Sequence, residues 1–229
     1  MYKRQAWGFA VRGYDQCGHG ESGGAPGSLP TDTRLLDDLA DIVDSTRARM
    51  DKGTPLIVLG HSMGGLVAGR FVSLGLRKVD ALVMSSPALD PGLSAFQKLL
   101  LAVLPRFLPN LRVGNGLNAD YISHDPAVVA AYRSDRLVHD RISGRLARFI
   151  ATAGPATVAL APQWKVPTLL MYAGDDRLVQ PRGSRSFAAA APASVVTTQC
   201  FEGLYHEIFN ELDATPVFAT LRQWLDQRF

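Results

Sequence analysis

Cysteine is scarce. Cys17 and Cys200 are the only two in 229 residues, too few and too far apart for a disulfide framework, so free thiols in a reducing cytoplasm are the expectation. Long apolar runs are missing as well. The longest candidates are interrupted by Lys98, Pro105 and Arg106, short of the roughly 18 uninterrupted apolar residues that a membrane span requires. An export signal is not read either, because Met1–Gln5 is followed by Gly8, Arg12 and Asp15 where an apolar stretch would be needed. Neither sign of charge dominates: 24 basic residues face 21 acidic ones, and they are interspersed, which excludes a nucleic-acid face. No metal-ligand spacing, internal repeat or low-complexity tract is found. The alanine-rich stretch 188–193 reads as a helix end.

With 47% hydrophobic and 20% charged residues, the chain can bury a sizeable core as one catalytic domain with a small insertion. Short aliphatic runs at Phe9 to Asp15, Leu56 to Gly60, Ala81 to Ser86, Thr168 to Gly174 and Val195 to Phe201 have the near-continuous apolar character of buried parallel strands. Between the first two, Leu35, Leu36, Leu39, Ile42, Val43 and Met50 recur at helical spacing. A last helix is predicted from Thr215 as cap, with Pro216 in its first turn and Val217, Phe218, Leu221, Trp224 and Leu225 on one face. Alternating strands and helices predict an α/β fold with a mostly parallel sheet. Residues 91–162 break the rhythm and read as a helical insertion, leaving 1–90 and 163–229 as the core.

The strand Leu56–Leu59 runs into Gly60-His61-Ser62-Met63-Gly64-Gly65, and helical composition follows. This is the strand, G-x-S-x-G turn and helix of a nucleophile elbow. A serine on so tight a turn needs small neighbours, which Gly60 and Gly64 supply, and the N–H of Met63 at the helix start should face a developing oxyanion. His61 is expected to turn away from the nucleophile, as a structural or substrate-lining residue rather than a base. Asp175 and Asp176 follow the Thr168 strand, and His206 follows the Val195 strand. Ligands bind at that edge of open parallel sheets. A serine hydroxyl needs an adjacent imidazole to take its proton, and the imidazole needs a carboxylate to fix its tautomer. From spacing alone either aspartate could serve. His19 lies in a Gly-flanked loop, and His124 and His139, beside Asp125 and Asp140, read as surface residues.

Gly18-His19-Gly20-Glu21-Ser22 after Tyr14-Asp15, the Gly60–Gly65 elbow, Asp175-Asp176-Arg177-Leu178-Val179 and Gly203-Leu204-Tyr205-His206-Glu207 together resemble the monoacylglycerol lipase and lysophospholipase branch of the α/β hydrolases, which is grouped with serine aminopeptidases. The resemblance covers nearly the whole chain. It implies an α/β-hydrolase fold, a Ser62–His206–Asp176 triad, and hydrolysis of carboxylic esters such as glycerides or lysophospholipids without a cofactor. It also selects Asp176 over Asp175. It makes 91–162 a cap in which Phe96 and Leu100 belong to a substrate-binding apolar set, suited to an acyl tunnel or to peripheral membrane contact. Thioester or amide cleavage on the same triad is the alternative reading, together with a catalytically impaired homologue. Relatives usually carry Arg where this chain has Cys17. They also begin earlier, with three strands and a His-Gly turn that supplies a second oxyanion donor. The expectation is therefore a weakened oxyanion hole and a sheet that either pairs the Phe9 strand directly with the Leu56 strand, leaves the first fifty residues poorly ordered, or, as favoured here, has its edge at Leu56–Val58 covered by another copy of the chain.

Overall fold

A computed structural model describes residues 7–90, 92, 103 and 107–229. Chain order, among the described residues, runs α1 (Arg34–Arg47), β1 (Ile57–His61), α2 (Met63–Ser73), β2 (Ala81–Ser85), β3 (Arg112–Gly114), α3 (Pro126–Ser134), β4 (Arg141–Ser143), α4 (Gly144–Ala159), β5 (Thr168–Ala173), α5 (Pro181–Ala190), β6 (Val196–Phe201) and α6 (Thr215–Asp226). The main sheet has the order β1-β2-β5-β6, and every pairing in it is parallel. β3 and β4 form a separate antiparallel ribbon.

The period of two along the central strands decides which face each residue serves. Leu82 and Met84 of β2, with Leu170 and Tyr172 of β5, enter one apolar cluster with Leu35, Leu39 and Val43 of α1, Leu66 and Phe71 of α2, Phe149 of α4 and Phe187 of α5. Ala81, Val83, Leu169, Met171 and Ala173 point the other way, onto Val217, Leu221, Trp224 and Leu225 of α6. Both faces of the sheet are thus covered, which is why its central strands read as unbroken apolar runs. The four strands lie within a residue of their predicted ends. Thr215 does not cap the last helix: it is the first helical residue, and its N–H donates to Oδ1 of Asp213 at 2.9 Å.

The predicted strand Phe9 to Asp15 is not one. Those residues belong to no ladder. Side chains anchor the segment instead: Phe9 packs on the α6 face, Tyr14 on the opposite cluster, and Arg12 donates to Ser45 and Thr46 on α1. An alternating pattern makes a strand only where a partner offers hydrogen bonds, and no described strand lies on the far side of β1. That edge shows in the burial too, since Ile57, Val58 and Leu59 are only half-buried whereas β2 and β5 are buried throughout.

Of the segment 91–162, the described part carries β3, α3, β4 and α4. Ser143 caps α4, its Oγ accepting the Leu146 N–H, and α4 sends Leu146, Phe149 and Ala153 into the main core. The outer part exposes Phe107, Leu108, Leu111, Val113 and Leu117, with Phe107 77% exposed. Phe96 and Leu100 lie outside the described residues. No helix among the described residues is long and apolar enough to cross a membrane.

Candidate active site

Ser62 joins β1 to α2 with φ 54° and ψ −121°, a conformation that side-chain-bearing residues adopt at a cost of about 1–3 kcal/mol. Ser62 N–H donates to the Ser85 carbonyl at 2.9 Å, and its own carbonyl accepts the Ala88 N–H at 3.0 Å. A Cβ on Gly60 would sit 2.3 Å from the Gly64 carbonyl oxygen, so the turn closes only because that position is glycine. Met63 opens α2, where the first N–H groups of a helix have no intrahelical acceptor.

His206 arrives from the loop after β6 and is buried, at 5% exposure. Its Nε2 lies 2.8 Å from Ser62 Oγ and its Nδ1 2.7 Å from Oδ2 of Asp176. The other oxygen, Oδ1 of Asp176, accepts the N–H groups of Leu178 and Val179 at 2.9 Å each. With both oxygens acting as acceptors, this buried carboxylate accepts a hydrogen bond from Nδ1–H of His206, which keeps the proton on Nδ1 and leaves Nε2 free to accept from Ser62. Asp175 goes elsewhere. Its two oxygens are 3.3 and 3.1 Å from Nε and Nη2 of Arg177, on the exposed side of the loop.

His61, expected to turn away from the nucleophile, lies beside His206. Its ring centroid is 4.8 Å from that of His206, and its Nδ1 is 3.0 Å from Ser85 Oγ. Burial, and then the neighbouring His206, push the His61 imidazole down to about 3, so it stands neutral beside His206. The partner Ser85, at the end of β2, carries no motif that would have drawn attention to it.

The Gly18–Ser22 loop is fixed through its neighbours. Glu21 N–H donates to Asp15 Oδ2 at 2.9 Å, and His139, expected on the surface, has Nε2 2.9 Å from the Gly18 carbonyl. Cys17 uses its backbone N–H on Asp38 at 3.2 Å. Next to it, Gln16 brings its Nε2 within 3.7 Å of where a Cβ on Gly64 would stand, while its buried Oε1 finds no partner among the described residues. His124 is exposed, as expected of a surface residue, and pairs with buried Glu211 at 2.9 Å. No group of three or more metal-ligating side chains occurs among the described residues.

Residues 2–213 match the family described as Hydrolase_4, serine aminopeptidase S33. A monoacylglycerol lipase of Mycolicibacterium smegmatis is 33% identical over 223 residues, which cover 96% of this chain and 79% of the relative. An uncharacterized abhydrolase domain-containing protein of Dictyostelium discoideum is 31% identical over 228 residues, and the chain spans only 24% of that longer protein. Among solved structures, the monoacylglycerol lipase of Paleococcus ferrophilus superposes with a TM-score of 0.82 at 32% identity, over 93% of this chain and 81% of that one.

Proposed function

The chain belongs to the Hydrolase_4, serine aminopeptidase S33, family, and from that premise we propose that it hydrolyses carboxylic esters, monoacylglycerols foremost, through an acyl-enzyme on Ser62. The observation that carries the reading is the relay from Ser62 Oγ through His206 to Asp176, two contacts of 2.8 and 2.7 Å.

Ser62 Oγ attacks the ester carbonyl while His206 Nε2 takes its proton, and Asp176 stabilises the imidazolium that results. The negative charge that develops on the carbonyl oxygen meets the N–H of Met63 and the positive end of α2. The tetrahedral intermediate collapses as His206 returns its proton to the departing alcohol oxygen, which leaves an acyl group on Ser62. Water then attacks, His206 takes its proton, and the carboxylic acid is released with Ser62 restored. None of these steps calls for a cofactor. Neutral His61 beside His206 adds no second positive charge when the imidazolium forms. His61 would also border the substrate.

The monoacylglycerol preference draws on the relatives in Mycolicibacterium and Paleococcus. Residues 91–162 would form a cap over the core of 1–90 and 163–229, with Phe96 and Leu100 against the acyl chain. The exposed set from Phe107 to Leu117 suits contact with a lipid surface from which such substrates come. The test is a panel of p-nitrophenyl esters from two to sixteen carbons, with monoacylglycerol, thioester and anilide arms. Each methylene should improve kcat/KM, by at most about 0.8 kcal/mol, until the site is full. A flat response from acetyl to octanoyl removes the acyl site, and faster cleavage of the thioester or anilide changes the leaving group assigned.

A further inference from the structure

Outside the Ser62–His206–Asp176 relay, a dense polar cluster lies behind the loop that carries His206. At its centre is Glu211, whose side chain is 2% exposed. Its Oε1 accepts the N–H of Tyr205, the residue preceding the base, at 2.7 Å, and the same oxygen lies 2.9 Å from Nδ1 of His124. Its Oε2 accepts the backbone N–H of His124 at 3.1 Å. Two further bonds run alongside: Glu207 N–H donates to the Ile122 carbonyl, and Ser123 Oγ donates to the Asn210 carbonyl, each at 2.8 Å. The stretch 122–124 is therefore strapped across residues 205–211 on both sides of His206.

Aromatic stacking closes the same assembly from above. The His124 ring lies on that of Tyr205 at 3.6 Å and 23°. The Arg177 guanidinium sits 5.0 Å from the Tyr121 ring and 5.2 Å from the Tyr205 ring while holding Asp175. The loop bearing Asp176, the loop bearing His206 and the segment 121–124 thus meet in one place, although 87 residues separate His124 from Glu211.

Burying a carboxylate is costly unless its oxygens are satisfied, and three donors satisfy this one. The loop from Glu202 to Glu211 has one regular element, a single 3₁₀ turn at Ile208–Asn210, so no helix or strand ladder fixes the base. Catalytic geometry tolerates errors of only about 0.5 Å. A bond to the peptide N–H of Tyr205 acts one residue away from the imidazole. We propose that Glu211, braced by His124, is a positioning residue that holds His206 in line with both Ser62 and Asp176. The proposal rests on the reading of those three residues as the catalytic set.

In the full-length chain, Glu211→Gln, His124→Ala and His124→Asn are compared with wild type and with Ser62→Ala, using p-nitrophenyl butyrate for kcat and KM and the urea unfolding curve for the folded fraction. A glutamine offers one acceptor oxygen, so its amide group meets either the Tyr205 N–H or the His124 N–H, donor against donor. Glu211→Gln should lower kcat per folded molecule about tenfold or more with KM within twofold, and His124→Ala should lower kcat several-fold. His124→Asn should recover at least half of the wild-type kcat, because Nδ2 of asparagine stands where Nδ1 stood. Should Glu211→Gln not fold, the contrast between His124→Ala and His124→Asn decides. Unchanged kcat per folded molecule, a rise in KM alone, or equal losses in the two His124 variants would overturn the proposal. Activity surviving in Ser62→Ala would instead overturn the catalytic reading beneath it.

Discussion

Replacing Asp176 by asparagine tests how the relay works, because the two oxygens of that carboxylate have different duties. Oδ1 takes two backbone N–H groups, from Leu178 and Val179, and Oδ2 takes Nδ1 of His206. An asparagine has one oxygen, and the two backbone donors cannot move away from it without breaking the turn. Its amide group therefore faces His206, which must accept at Nδ1 and carry its proton on Nε2. In that tautomer Nε2 points a hydrogen at Ser62 and takes no proton from it. The same change in the serine-protease triad costs about 10⁴-fold in kcat, so we expect a loss of about 10³–10⁴-fold here, or roughly 4–5.5 kcal/mol of barrier. Asp175→Asn removes only an ion pair to Arg177 in which both side chains are 46% exposed. Such a pair is worth up to about 1 kcal/mol, and activity should fall less than about fivefold. Initial rates on p-nitrophenyl butyrate, with thermal unfolding to confirm that both variants fold, make the comparison. Asp175→Asn being the more damaging change, or Asp176→Asn keeping more than a tenth of the rate, would refute the assignment.

Two further outcomes are expected. His61 is held neutral in the fold, at about 3, against an ordinary value of 6.5. The unfolded chain therefore binds the extra proton first: stability from this residue is full above pH 6.5 and is lost as pH falls from there toward 3, by at most about 5 kcal/mol. Burial lowers His19 as well, with the same sign, so His61→Gln should flatten, without abolishing, the fall in urea midpoint between pH 8 and pH 5; an unchanged slope removes His61 as the cause. No described strand pairs with the outer edge of β1, where Ile57, Val58 and Leu59 are half-buried, and if that edge is open in the 229-residue chain it should favour self-association. Light scattering is expected to show a dimer or larger species, and a monodisperse monomer at tens of micromolar would contradict that.

Much of this was legible in the sequence for reasons that lie in the chain itself. β2 and β5 are buried on both faces, so their apolar runs are continuous and their ends fall where polar residues begin. Ser62, Asp176 and His206 follow β1, β5 and β6 of the same sheet, and its parallel strands deliver them to one edge. What was not legible depends on partners distant in sequence. Phe9 to Asp15 has the composition of a strand, but a ladder needs a neighbour that local sequence does not encode. The orientation of His61 is set by Ser85, 24 residues away. His124 is the surface residue its polar neighbours suggest, but its pairing with Glu211, 87 residues on, comes only from the fold. The three-residue strands β3 and β4 lack any apolar alternation strong enough to mark them.

In the proposed mechanism Ser62, activated by His206, carries the acyl group during ester hydrolysis. A fluorophosphonate probe followed by peptide mapping by mass spectrometry tests it most directly. One adduct per chain is expected, on Ser62, with hydrolysis of p-nitrophenyl butyrate lost in proportion to labelling and neither label nor hydrolysis in Ser62→Ala. Labelling of another residue, or hydrolysis that persists in the fully labelled protein or in Ser62→Ala, would rule out Ser62 as the nucleophile.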